Sequence, residues 1–437
     1  MKIRIIFIAF IIFFLTPLMN AYSDDNPIRW IRPIWTSANS VIAAAITSDN
    51  RYVAATSGAQ LLFWDLSQVK IAKRFIGHAK RISQITLSAD NKYAFSGDEA
   101  GVLKIWDVIA GKEIRTINAH DTPIFIINIS ADGRYVMTGS HDGIKKLWDF
   151  HTGKELQRVK GFKWNQPTLA RLSADGKQII GEDDNGFIVV WDALNGNIVK
   201  KIKMPDKEYT VSLISADGHY AVVERLKSTS FYPELWDIKE GKKIRIFNFK
   251  KYEKNYQSFI STLGGAFTSD NKKILSLYID FRRYVLWDID EDQPVIDFSD
   301  EFYEGGGSNM FSLNGKYIAS GSAEDMARLW DAATGKEIVK IIGMKDGAWL
   351  IITPEGYYDA SEKAVDAQMI VEYRTYLKCP LNNYRETFYH PDLVKVVLSG
   401  GSLKDYKKIS EVPIPPICIE MKKREEEKKK SSCEQKN

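Results

Sequence analysis

Short apolar runs alternate with turn signals along most of the chain. Between residues 123 and 161 the pattern reads PIFIINIS, ADG, RYVMTGS, HDG, IKKLWDF, HTG and KELQRVKG. The runs are rich in Ile, Val, Phe and Tyr, as half-buried pleated surfaces prefer. The Asp-Gly steps between them suit hairpin turns, which need residues that tolerate positive φ. This stretch predicts four consecutive antiparallel strands.

The pattern recurs. Trp-Asp pairs stand at Trp64-Asp65, Trp106-Asp107, Trp148-Asp149, Trp191-Asp192, Trp236-Asp237, Trp287-Asp288 and Trp330-Asp331, with successive Trp residues 42, 42, 43, 45, 51 and 43 positions apart. A turn precedes each pair: TSDN at 47–50, SADN at 88–91, SADG at 130–133, 173–176 and 215–218, TSDN at 268–271 and SLNG at 312–315. A second turn such as AGKE or TGKE follows most of them. A four-stranded unit repeating at this period predicts an all-β fold, a β-propeller of four-stranded antiparallel blades.

The units resemble the WD-repeat family of β-propellers, and seven of them cover residues 28–343. In that family a Trp, a Ser or Thr, a His and an Asp form a hydrogen-bonded network inside the blade. The third unit matches at His120, Thr138, Asp142 and Trp148. The second has His78, Ser96 and Trp106, with Ala100 where the Asp is expected, and the seventh keeps Ser320 and Trp330. The resemblance implies that these residues are structural, since buried polar groups normally serve to satisfy one another. Ring closure is open at this point. Either 28–36 (IRWIRPIWT) or KEIVKII at 336–342 supplies the outer strand of the seventh blade. WLIITPEGYYDAS at 349–361 resembles the first hairpin of an eighth unit, so an eight-bladed ring competes with the seven-bladed one.

The N-terminus changes the picture of where the protein works. Lys2 and Arg4 precede an apolar run, and Ala21 and Ser23 offer small residues at a cleavage point. Residues 1–23 therefore read as a signal peptide, and the protein as exported, periplasmic or secreted, with no membrane span after cleavage. An uncleaved anchor is the alternative, although the run is short for a full span. The net charge of +4 divides into +2 for residues 1–23, +3 for residues 421–437 and hence −1 for the rest. A near-neutral disc lacks the concentrated basic surface that phosphate backbones require, which argues against nucleic acid as a partner. Of the three cysteines, Cys379 and Cys418 form a disulfide, leaving Cys433, or all three remain thiols.

Residues 344–420 have a different texture and read as a connector. PDLVKVVLSGGSL predicts a short helix that starts at Pro391 and stops at Gly400-Gly401, and residues 421–437 read as a polar tail, disordered or at most a frayed helix. TPEGYYDAS and YRETFYHPDLV resemble the connector of bacterial proteins that join a WD-repeat propeller to a caspase-like peptidase. No catalytic residue carries over from that resemblance, and nothing sets Cys379 and His390 within reach of each other.

No catalytic constellation, cofactor loop or metal-ligand spacing emerges, so the expectation is no enzyme activity, no cofactor and no metal. Asp183-Asp184 reads as a strand-connecting turn. Three insertions on adjacent units carry exposed-type aromatics: Phe231 and Tyr232, Tyr252 and Tyr256, and Phe302 and Tyr303. Aromatics on long loops are favoured binding anchors, although eroded repeats would fold the same rings back onto the disc. The reading is a protein-interaction scaffold with an unknown protein partner. Its rival is a regulatory or shortened component of a caspase-like peptidase system.

Overall fold

The computed structural model describes residues 28–33, 43–140, 142–160, 170–205, 208–225, 233–247, 260–278, 283–291, 294–298, 306–311, 315–322, 326–343, 348–365, 369–373 and 377–434. Within them, seven antiparallel sheets follow one another as blades, each ordered from inner to outer strand as in the sequence. Blade three shows the pattern: Ile124–Ile129, Tyr135–Ser140, Lys145–Asp149 and Glu155–Val159. These are the four strands its sequence predicts.

The hairpin between the first two strands is the same device six times over. In each, a Ser or Thr hydroxyl donates to the carboxylate two residues on, as Ser88 to Asp90 at 2.7 Å and Ser130 to Asp132 at 2.6 Å. The following residue takes positive φ: 60° at Asn91, 71° at Gly133. Asn and Gly recur there because that conformation excludes most side chains.

The Trp-Asp pair works in two directions. Each Asp turns back to accept amide hydrogens of the next turn; Asp149 takes the Thr152 N–H at 2.8 Å and its hydroxyl at 2.9 Å. Each Trp sits where the register shifts between the third and fourth strands, in all seven blades. The indole packs onto the preceding blade. Trp106 joins the core of blades one and two, with Phe75 at 5.4 Å between ring centroids. Each of seven inter-blade cores holds one such Trp, and Trp64 of blade one lies in the core shared with blade seven. Seven blades therefore close the ring.

The closure selects one of the two candidate strands. Glu337–Gly343 is the outer strand of blade seven. Residues 28–33 instead pair antiparallel with Met369–Tyr373, in a small sheet completed by Lys378–Pro380. The hairpin of Trp349–Ile352 and Tyr358–Ala360 extends the seventh sheet to six strands rather than starting an eighth blade. Its Trp349 and Ile351, with Val394 and Leu398 of helix Pro391–Leu398, pack into the blade seven–blade one core. That helix ends as its sequence predicts: Gly400 takes φ 89°, and the Gly401 N–H returns to the Val396 carbonyl at 2.8 Å.

Beyond this lies a separate core of residues 342–418, which includes Tyr358, Phe388, Leu403 and the disulfide Cys379–Cys418. Residues 421–434 of the polar tail continue the helix Pro416–Glu434.

A further regularity runs around the rim. In blades one to four the residue eight positions after the Trp-Asp aspartate reaches forward to the turn of the next blade. Lys73 donates to the Ile109 carbonyl, Gln157 to the Leu194 carbonyl at 3.1 Å and Lys200 to the Lys239 carbonyl. Arg115 donates to the Thr152 and His151 carbonyls at 2.9 and 2.8 Å. The equivalent positions in blades six and seven are Ile296 and Val339.

Candidate functional site

The polar network of blade three forms as its residues predict. His120 Nε2 lies 2.9 Å from the Thr138 hydroxyl, which accepts the Trp148 indole N–H at 2.9 Å. His120 Nδ1 lies 3.2 Å from Asp142. Burial pushes the His120 imidazole below its usual range, and the hydrogen bond and charge of Asp142 only partly offset this. A neutral ring with its proton on Nδ1 donates to Asp142 and accepts from Thr138, which satisfies all four side chains.

Blade two corrects the expectation of a partial match. Its network is complete, because Asp98 replaces the missing acid at position 100. His78 Nδ1 is 2.9 Å from Asp98, Nε2 is 2.7 Å from the Ser96 hydroxyl, and Trp106 donates to Ser96 at 2.8 Å. Asp98 ends the second strand, so its other oxygen also accepts the Ala100 and Val102 amides, both at 2.9 Å. Burial opposes its ionisation, but the bonds from His78 and these amides outweigh it and hold the carboxyl below the usual range. Blade five uses a third solution: Glu234 accepts the Trp236 indole N–H at 2.9 Å and pairs with Lys243 at 3.2 Å. Blade seven has the Trp330 bond to Ser320, at 3.1 Å.

Serine, imidazole and carboxylate in line is also how a nucleophile is activated. Here Ser96 is fully buried, and its oxygen already meets both His78 and the indole of Trp106. The arrangement leaves no approach for a substrate carbonyl. Cys379 is committed to its disulfide, and His390 stands at the surface beside Asp392. Asp183 closes its turn by accepting the Asn185 and Phe187 amides, so the Asp-Asp pair belongs to a strand connection. Among the described residues no group of three or more His, Cys, Asp or Glu is placed to hold a metal, and no helix is long and apolar enough to cross a membrane. The six loop aromatics, Phe231, Tyr232, Tyr252, Tyr256, Phe302 and Tyr303, lie outside the described residues, as do residues 1–23.

The family model for the WD domain, G-beta repeat, matches residues 69–107, 111–149 and 308–331. Each match ends at a Trp-Asp pair, and the first two open at the outer strand of the preceding blade. The chain is a WD-repeat β-propeller. In each matched blade, two, three and seven, the Trp meets a Ser or Thr hydroxyl. No curated protein matches the chain. A WD-repeat propeller is typically a scaffold that engages protein partners.

Besides Asp98, sequence reasoning missed Lys145 of this WD-repeat propeller. Lys145 is 2% exposed, at the third-strand position held by Leu61, Leu103 and Ile188 in blades one, two and four. Burial lowers its ammonium from the usual range to about 8, against a smaller opposing pull from Asp142. A lysine in an otherwise apolar column is the signal that could have found it.

Proposed function

We propose that this WD-repeat propeller is a non-catalytic scaffold, exported to the periplasm or secreted, that grips a protein partner through the inserted loops of blades five to seven. The observation that carries the reading is the state of its reactive-looking groups. In the networks of blades two and three the imidazoles of His78 and His120 are buried, and each is held between a carboxylate and a Ser or Thr hydroxyl that also accepts the Trp indole N–H. The sequence then concentrates Tyr232, Tyr256 and Tyr303 in the insertions, where a rigid disc can present them. Export is supported by the leader-like residues 1–23 and by a disulfide, which persists in oxidising compartments.

The test is proximity capture in the native cell with the wild type and with Tyr232, Tyr256 and Tyr303 changed together to Ala. A partner held by the first and lost by the second, with unchanged melting temperature, supports the reading. Undiminished capture by the variant removes the loops from it. Mass spectrometry of the mature protein reads export directly: loss of residues 1–23 is expected, and an intact N-terminus in the cytosol overturns it.

A further inference from the structure

A second surface emerges on the rim, independent of the loops. The outer strands of adjacent blades four and five, Ile198–Lys203 and Lys242–Ile246, read IVKKIK and KKIRI. Together they carry Lys200, Lys201, Lys203, Lys242, Lys243 and Arg245 and no acid, so +6 in eleven residues. Residues 24–420 as a whole carry −1, so this is segregation of charge and not bulk basicity. The outer strands of blades two and three, by contrast, mix signs, with Glu113 held by Lys104 and Glu155 by Arg158.

Part of this charge is spent inside the disc. Lys201 pairs with Asp183 and Lys243 with Glu234. Lys203 and Lys242 are exposed and meet no carboxylate among the described residues. Aliphatic side chains lie between the cations: Ile198 is 52%, Val199 59%, Ile244 43% and Ile246 45% exposed. Lysines alone would suffice to guard an edge strand against stray pairing. Exposed aliphatics interleaved with them make a surface that repels a second basic edge and suits an acidic, partly apolar one.

The backbone of these strands is also available. The Met204 N–H donates inward to Gly186 and the Phe247 N–H inward to Pro233. Amide direction alternates along a strand, so the N–H groups of Lys203 and Ile246 point away from the disc. Among the described residues no strand pairs there. The molecule demonstrates the geometry elsewhere. On blade seven, Trp349–Ile352 adds antiparallel to the outer strand, from Lys340 opposite Ile352 to Gly343 opposite Trp349.

From this we infer that the outer edges of blades four and five bind an extended segment of a partner protein whose acidic and apolar side chains alternate, added as a fifth strand to the blade. The main-chain edge supplies affinity, and Lys203 and Lys242 select for carboxylates.

The test uses the full chain and a fluorescent synthetic peptide alternating glutamate and valine, followed by anisotropy and by hydrogen exchange. Binding is expected to protect amides in residues 198–203 and 242–246. The double variant Lys203→Glu with Lys242→Glu should weaken it about tenfold or more. Ile246→Pro removes one outward N–H and should abolish added protection at blade five, with blade four as an internal control. Should Ile246→Pro lower the melting temperature, the double charge variant, at exposed and unpaired positions, decides alone. No protection at either edge, or unchanged affinity in the charge variant, overturns the proposal. Binding of phosphatidylglycerol vesicles in preference to the peptide, insensitive to Ile246→Pro, replaces it with a lipid surface. Self-association lost on charge reversal replaces it with a second copy.

Discussion

The indoles of Trp64 in blade one and Trp349 in the C-terminal hairpin meet edge to face, 5.6 Å between centroids at an interplanar angle of 78°. Phe75 on the outer strand of blade one and Phe247 just past that of blade five meet Trp106 and Trp287 in tilted contacts at 5.4 and 5.2 Å. At the seam Trp349 takes that role from a strand beyond the blade. The same seam brings Gly343 so close to blade one that a Cβ there would lie 2.9 Å from Leu62.

The seam is therefore held by residues outside the repeats. Trp349→Ala should cost about 3 kcal/mol, as aromatic truncations in packed cores do. Hydrogen exchange should rise first in Ala44–Ile46 and Gly306–Phe311, the inner strands of blades one and seven. Uniform loss of protection over all blades would show that the seam is no weaker than the other interfaces.

The network of blade two makes a paired prediction. Asp98→Asn leaves one acceptor oxygen where two are used, one by His78 and one by the Ala100 and Val102 amides, and should destabilise by about 1–3 kcal/mol, the range for a buried group losing its partner. Ala100→Asp, which restores the family pattern, should give no gain because the role is already filled. Equilibrium unfolding of both variants distinguishes Asp98 from a bystander.

Lys145 sets a pH dependence. Its folded value, about 8, is below the unfolded 10.5. For a base so depressed, stability is fully present above 10.5 and lost as pH falls towards 8, because the unfolded state binds the proton more readily. Lys145→Met should raise stability near pH 7 by on the order of 1–3 kcal/mol and flatten that alkaline rise. Denaturant melts at pH 7, 8, 9 and 10 read both effects; an unchanged alkaline slope would assign it to other groups.

The blade architecture was legible because its determinants are local. Seven Trp-Asp pairs, six Ser/Thr-x-Asp turns and the Gly or Asn after them each act within a few residues. Asp98 was not legible, because a carboxylate two positions early reaches the same imidazole only through the geometry of the strand end. The seam was ambiguous for a different reason: residues 28–33 and 337–343 are equally good strands, and only the partner segment 369–373 decides between them. Lys145 was hidden by its strand-like neighbours, although its column in the other blades is apolar.

The forward reach of Lys73, Arg115, Gln157 and Lys200 has a consequence for how such a disc can change in number. Each of these blades offers a donor to its successor, and from blade two onward each also offers carbonyls to its predecessor, so a duplicated unit inserted among them would arrive with both halves of the join. Blades six and seven present Ile296 and Val339 at that position. A copy added after blade seven would find no donor waiting and would displace Trp349 and its hairpin. Growth of this ring is therefore open in its first half and shut at its seam.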